Sequence, residues 1–321
     1  MIKLNPTVTC YDGYCSSQRL YVKGRVMKTP YVRRSSNKSA GGNFIETALR
    51  FVTIEYEYVD VSLTVGDQVY HTQTDHEGYY VFDQENVATL SITEDLQWIE
   101  LEVSVDHIDF EGVHTKTKVL YVPDHADIVV ISDIDDTIMW SYVTSYLKIK
   151  MMYFTFTRSP FQRTPVAGMN TCINSILQSK RPVFYISNSP WNIYYFLKRF
   201  IKHYGYVDGP TFLRDYGRQL IFRNKSNITH KFNMLHKVIS TFSTQKFVLI
   251  GDSAESDIDY YLEMYRVYGD RIEQILIHDV GHRKNRKRII QLIADHPDVD
   301  IQLNSVVQEF VISEAISTNK T

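Results

Sequence analysis

The sequence predicts an α/β fold built on a parallel sheet and preceded by a small antiparallel β-sandwich. Three observations predict it. Apolar residues recur at every second position up to about residue 122; beyond that, short apolar runs alternate with helical stripes; and Pro123-Asp124-His125-Ala126 separates the two patterns as a hinge would. With 321 residues, 44% apolar and 22% charged, the chain is long enough for roughly two cores, taken as residues 1–122 and 123–321.

In the first region Val59, Val61, Leu63 and Val65, and again Ile99, Leu101, Val103 and Val105, alternate with polar residues, the period of a half-buried strand. Gly66-Asp67 lies between two such runs as a two-residue hairpin turn, and Asp75-His76-Glu77-Gly78 marks a further turn before Tyr79-Tyr80-Val81-Phe82. The Ser-, Asn-, Lys- and Gly-rich stretch from Arg33 to Gly42 has no period and reads as a loop.

In the second region the apolar runs are Ile128 to Ile131, Val183 to Ile186, Phe247 to Ile250 and Ile275 to Ile277. Three helical stripes lie between them. Ile193, Phe196, Leu197, Phe200 and Ile201 form the first, with Ser189-Pro190 expected as N-cap and first helical residue and Gly205 as stop. Phe232, Leu235, Val238, Ile239 and Phe242 form the second; Ile258, Tyr261, Leu262 and Tyr265 form the third, ending before Gly269.

A net charge of −2 excludes nucleic acid as the expected partner, because phosphate-backbone binding needs clustered Lys and Arg; an anionic ligand must be caught by local groups. No stretch approaches the roughly 18 apolar residues of a membrane span, and Met1 to Pro6 lack the apolar core of a secretory signal, so the chain is expected to be cytoplasmic. Cys10, Cys15 and Cys172 have no zinc spacing and read as structural thiols. His230, His278 and His282 lack a short paired spacing, and no zinc is expected.

In an open parallel sheet, ligands bind beyond the carboxyl ends of the strands. Asp133 and Asp135 follow the first apolar run, Ser187 the second, and Gly251-Asp252-Ser253 the third, with Asp257 five residues after Asp252. This pattern suits phosphoryl transfer. A carboxylate attacks phosphorus once a divalent cation neutralises the phosphate and the geometry is fixed, and Asp133 has that position. Asp135, two residues on, is the expected acid/base. Mg²⁺ prefers oxygen ligands, and Asp133, Asp252 and the main-chain carbonyl of Asp135 are the expected set. Ser187 and Lys231 are the expected donors to the phosphoryl group, with Lys225 as the other lysine in reach. An Asp-x-Asp-x-Thr pattern alone arises by chance in roughly one chain in twenty of this length; the ordered set of strand-end residues gives the signal its specificity.

The runs Ile131-Ser132-Asp133-Ile134-Asp135-Asp136-Thr137-Ile138, Phe184-Tyr185-Ile186-Ser187-Asn188-Ser189-Pro190-Trp191, Gly209-Pro210-Thr211-Phe212-Leu213-Arg214-Asp215, His230-Lys231 and Phe247-Val248-Leu249-Ile250-Gly251-Asp252-Ser253 resemble the catalytic domain of the actin-patch-type phosphatidate phosphatases, a family of the haloacid dehalogenase superfamily. The resemblance covers about residues 127 to 315. Tyr11 to Tyr14 and Leu20 to Val26 are similar to the lead-in of bacterial members. It implies a Rossmann-like sheet of haloacid dehalogenase type and Mg²⁺-dependent removal of phosphate from phosphatidate. The roles above then fall on the residues already named, with Thr137 and Asn188 added as phosphate ligands, Asp257 and Ser253 in support, and Arg214 and Trp191 at the substrate rim. Tyr216 and the stretch Ser253-Ala254-Glu255-Ser256-Asp257 depart from the family's usual residues.

The aromatic and Met-rich stretch Met139 to Phe156 reads as core or as a lipid-facing surface, and Arg158 and Arg163 beside it as solvated or phosphate-facing. The basic run Arg283 to Arg288 reads as a solvated face or as a peripheral contact with anionic headgroups at the inner membrane surface. Arg214-Asp215 fits a loop ion pair as well as a headgroup contact. The alternatives to a phosphatidate phosphatase are a phosphatase for another phosphomonoester, or a phospho-accepting Mg²⁺ switch carrying a β-domain for targeting.

Overall fold

A computed structural model describes residues 4–30, 53–85, 87, 95–111, 113–140, 163–178, 180–215, 227–313 and 316. The loop expected from Arg33 to Gly42, the aromatic stretch beyond Trp140, Arg158, Tyr216 and Lys225 lie outside them. The described residues form two compact units, divided in sequence between Pro123 and Asp124.

The first unit holds β1 (Leu4–Cys10), β2 (Gly13–Cys15), β3 (Arg19–Pro30), β4 (Ile54–Glu55), β5 (Asp60–Val65), β6 (Gln68–Gln73), β7 (Tyr79–Glu85), β8 (Gln97–Asp106) and β9 (Thr115–Tyr121). They join in one sheet, ordered β1-β3-β2-β9-β8-β5-β6, with β4 and β7 also on β3. Alternation decides the faces: Val61, Leu63 and Val65 of β5 and Leu101, Val103 and Val105 of β8 enter one apolar cluster with Leu20, Val22, Val26 and Phe82. Val65 pairs with Gln68 across Gly66-Asp67, where Gly66 takes the left-handed φ of +58° that a two-residue hairpin needs. Asp75 Oδ1 accepts the N–H groups of Glu77 and Tyr79 at 2.8 and 2.9 Å, which closes the second turn. The sheet is not purely antiparallel as expected: β2 runs parallel to β9, Gly13 opposite Val119. A three-residue strand pairing with a segment about 100 residues away leaves no local period to read.

The second unit holds β10 (Ile128–Ser132), α1 (Met169–Leu177), β11 (Val183–Pro190), α2 (Tyr194–His203), β12 (Thr211–Arg214), α3 (Asn227–Thr241), β13 (Lys246–Asp252), α4 (Asp257–Tyr268), β14 (Ile272–His278), α5 (Arg283–Asp295) and β15 (Ile301–Asn304). All pairings in this sheet are parallel, in the order β12-β11-β10-β13-β14-β15. The strands are covered on both faces, so β10 reads as an unbroken apolar run with Ile128 to Ile131 all buried. The chain lays β11 and β12 to one side of β10 and then returns to place β13 on the other. The carboxyl ends of β10 and β13 therefore flank the switch point where such sheets bind ligands.

One helix start is corrected. Ser189-Pro190 does not open a helix; β11 continues through Pro190, a 3₁₀ turn covers Trp191–Ile193, and α2 begins at Tyr194. A proline biases the residue before it away from helical backbone, and Pro190 itself is extended at φ −72°, ψ 149°.

Beneath β10, Arg181 is buried and its fork grips Asp127 at 3.0 and 2.6 Å, while Nη1 donates to the carbonyls of Ile176 and Ile316 at 2.8 and 2.7 Å. The pair ties α1 and the C-terminal segment to the start of β10. Arg181→Ala is expected to cost about 3 kcal/mol in denaturant unfolding, because it both leaves two carbonyls without their donor and removes the Asp127 ion pair. Asp127 is half-exposed; burial pushes its carboxyl up, but the Arg181 guanidinium outweighs this and holds it below its usual 3.8. The pair's contribution is thus complete above pH about 4 and lost as pH falls through the lower folded value. An Arg181→Ala protein as stable as wild type at pH 7 would remove this pin from the account.

Candidate active site

Asp133 and Asp135 enter on the loop that leaves β10. The Asp133 N–H still donates to the Ile250 carbonyl of β13 at 2.8 Å, so sheet pairing carries on to the residue itself. The chain then turns tightly. Asp136 N–H donates to Met139 O at 2.8 Å, and the N–H groups of Ile138 and Met139 both reach Ile134 O. Asp136 takes φ +58°, a left-handed conformation that Asp tolerates at a cost on the order of 1 kcal/mol.

Asp252 is the last residue of β13. Its Oδ1 accepts the backbone N–H groups of Ala254 and Glu255, at 2.5 and 3.1 Å, which folds the following loop back onto its own carboxylate. That return brings Asp257, the first residue of α4, beside Gly251; a Cβ on Gly251 would lie 2.4 Å from Asp257 Oδ2. Asp257 Oδ2 accepts the Asp252 N–H at 3.2 Å. From α3, Lys231 reaches in fully buried, its Nζ donating to Asp133 Oδ1 at 2.7 Å and to Asp257 Oδ1.

Each of Asp133, Asp252 and Asp257 offers an oxygen within 4.8 Å of the others, and all three are buried. Three carboxylates thus share one ammonium. Burial pushes the carboxyls of Asp133 and Asp252 well above the usual carboxylate range and that of Asp257 up; Lys231 pulls against this, and the neighbouring acids add to it. Burial also pulls Lys231 down, but Asp133 and Asp257 outweigh it and hold the lysine well above its ordinary value, so it stays charged. The cluster is short of positive charge. Asp133 Oδ2 and Asp252 Oδ2 are moreover buried with no hydrogen-bond partner. An all-carboxylate set with free buried oxygens fits a hard divalent cation, and the residues present therefore fit a metal of the Mg²⁺ class.

Asp135 faces elsewhere. Its Oδ2 accepts the hydroxyls of Ser187 at 2.8 Å and Ser189 at 2.9 Å, so its carboxylate lies outside the metal cluster, and Asp257, expected in support, lies inside it. Burial, then Glu255, push the Asp135 carboxyl up while the two serines pull it down, and the net direction is upward.

The remaining expected residues divide. Thr137 is buried, with Oγ1 lacking a hydrogen-bond partner. The Asn188 amide donates to Glu255 Oε2 at 3.1 Å, bridging β11 to the loop after β13. Ser253 is buried, donating to Asp279 and accepting the Val280 N–H. Trp191 is buried at 2% exposure and packs on Tyr194, which removes it from an exposed rim. Arg214 ends β12 and is half-buried. Ser189 and Glu255 were missed. Ser189 was legible as the residue two past Ser187, on the same strand face; reading it as a helix cap hid it.

Residues 128–279 match the family model described as "Phosphatidate phosphatase APP1, catalytic domain". This segment belongs to that family. Similar curated proteins are the uncharacterized protein C29B5.04c of Schizosaccharomyces pombe, 26% identical over 215 residues, covering 66% of this chain and 34% of that protein, and the phosphatidate phosphatase APP1 of Saccharomyces cerevisiae, 29% identical over 152 residues, covering 47% and 25%. The chain thus matches about a third or less of the length of these relatives. Among solved structures, a carbohydrate acetylesterase from Xanthomonas citri aligns at TM-score 0.34 and 8% identity over 98% of this chain and 71% of the other, and a class C acid phosphatase from Bacillus anthracis with tungstate bound at 0.31 and 11% over 60% and 77%. At these scores neither defines a shared fold.

The charge shortage has a measurable consequence. Lys231→Met leaves buried carboxylates without their ammonium and is expected to destabilise the chain by about 3 kcal/mol or more. Added Mg²⁺ should restore more melting temperature to the variant than it adds to wild type, as read by thermal shift. Equal Mg²⁺ shifts in the two proteins would mean that the lysine and the cation do not share this site.

Proposed function

We propose that this chain is a Mg²⁺-dependent phosphatase of haloacid dehalogenase type that hydrolyses a phosphomonoester, with phosphatidate as substrate and diacylglycerol and phosphate as products. One observation carries the reading: the two partnerless buried oxygens of Asp133 and Asp252, beside Lys231, at the switch point of a sheet whose segment matches a phosphatase catalytic domain. The β-sandwich assignment of the first unit and its targeting role belong to the same reading.

Asp133 Oδ2 forms the bond to phosphorus as the ester P–O bond breaks, giving an aspartyl-phosphate. Asp135 gives its proton to the departing alkoxide, a role suited to a carboxyl whose proton burial helps retain. Asp135 then takes a proton from water as the water oxygen attacks phosphorus, releasing phosphate and restoring Asp133. Lys231 fixes Asp133 through Oδ1 and leaves Oδ2 for the attack. Ser187 and Ser189 hold Asp135 through Oδ2 and so set its direction. Asp133 and Asp252 would hold the cation, which would neutralise charge on the phosphoryl oxygens. Asp257 orients Lys231 and the Asp252 backbone.

A lipid substrate accords with the exposed cations Arg283, Lys284 and Lys287 in the first turns of α5, on the helix whose Asn285 donates to the carbonyl of Ser253 at 2.8 Å. No described helix is long and apolar enough to cross a membrane. The reading has the enzyme meeting headgroups peripherally, from the cytoplasm.

The test is phosphate release with Mg²⁺, comparing phosphatidate in mixed micelles with sugar phosphates, nucleotides and phosphopeptides. Asp133→Asn is expected to abolish release, and Asp135→Asn to lower it by about 10²-fold or more; chelation should stop it and added Mg²⁺ restore it. Full turnover by Asp133→Asn would refute the nucleophile. Faster release from a soluble ester than from phosphatidate would move the substrate and leave the chemistry in place.

A further inference from the structure

We infer that His278 is a positioning residue that clamps the nucleophile loop to the metal-binding loop, an inference that rests on the phosphatase reading for its effect on turnover. His278 ends β14, in register with Asp252 at the end of β13. It does two things at once. Its backbone carbonyl accepts the Ser253 N–H at 2.9 Å, holding the first residue past Asp252. Its ring reaches over the end of β13, and Nδ1 lies 2.8 Å from the Asp136 carbonyl. A carbonyl only accepts, so Nδ1 is the protonated nitrogen of this ring.

Asp136 is the residue that needs such a hold. It sits between the acid/base and Thr137 in a left-handed conformation, at φ +58°. Its N–H is tied within its own turn to Met139; its carbonyl takes the hydrogen bond from β14. If that carbonyl swung free, Asp136 would relax toward ordinary backbone and Asp135, one residue before it, would move with it. The ring is itself fixed: His278 is buried at 3% exposure, with Trp140 edge-on at 5.3 Å between ring centres. A residue outside the carboxylate cluster thus ties together the two loops whose relative position decides in-line attack.

The geometry gives a discriminating set of variants. An asparagine places its amide nitrogen where Nδ1 of histidine lies; a glutamine places it where Nε2 lies. His278→Asn should therefore keep the clamp, while His278→Gln and His278→Ala should lose it. Phosphate-release kinetics are expected to show kcat lowered about 10- to 100-fold in Gln and Ala with KM unchanged, and kcat near wild type in Asn. Amide hydrogen exchange of residues 134–139 should quicken in Gln and Ala but not in Asn. If all three variants behave alike, whether all active or all impaired, the clamp is overturned, since a packing role would not distinguish the two amides. If wild type releases no phosphate, the functional reading fails by itself, and the exchange rates still decide for or against the clamp. Should the Ala variant not fold, the comparison of Asn with Gln carries the same decision.

Discussion

A single buried ammonium organises the second unit. Lys231 lies between Asp133 and Asp257 with no water-facing surface, and desolvating each of these ions costs several kcal/mol that only their mutual attraction returns. Such a triad is weak evidence for stability. What it secures is position: α3 is bound to the end of β10 and to the start of α4, and the spare oxygens of Asp133 and Asp252 are left pointing at no protein partner. The sheet makes this arrangement attainable. β10 and β13 are hydrogen-bonded neighbours with Ser132 opposite Ile250, so carboxylates at their ends start about one strand spacing apart, roughly 4.8 Å.

The parts of this fold that were legible are those where burial writes itself into the sequence. β10, β11, β13 and β14 are covered on both faces, and an unbroken apolar run is the only pattern that condition permits. β5 and β8 carry one buried face each and alternate accordingly. β12 and β15, four residues each at the sheet's edges, gave too little pattern to read. α1 carries a helical stripe in Met169, Ile173, Ile176 and Leu177 but starts at Gly168 with no capping side chain, so the punctuation that marks a helix was missing. α5 was read as a charge run because its apolar residues, with Ile289 the buried one, come only after the basic residues.

The site was legible as a set of residues and not as a set of partners. Strand ends bring Asp133 and Asp252 together; they do not predict how Asp257 comes back to Gly251, because that depends on Asp252 capturing two backbone N–H groups of its own loop. Nor did they separate the carboxylates into a cluster of three and a lone Asp135. That division comes from Ser187 and Ser189 on one strand face, and Ser189 is on that face only because β11 runs through to Pro190. The local helix-start rule lost here to the longer-range demand of Asp135 for a second donor.

The pattern of satisfied and unsatisfied groups is itself informative. Around the two loops nearly every donor and acceptor is engaged: both oxygens of Asp257, Oδ1 of Asp133 and of Asp252, Oδ2 of Asp135, and the hydroxyl and backbone of Ser253. The buried atoms left over are Asp133 Oδ2, Asp252 Oδ2, Asp135 Oδ1 and Thr137 Oγ1, all on the loops leaving β10 and β13. A buried polar atom without a partner costs about 1–3 kcal/mol, and folded proteins rarely keep several together. Loops fixed so completely elsewhere have not failed to find partners by looseness. The three carboxylate oxygens and one hydroxyl instead outline what the fold leaves to be supplied from outside: a cation for the acids, and a polar group for the hydroxyl.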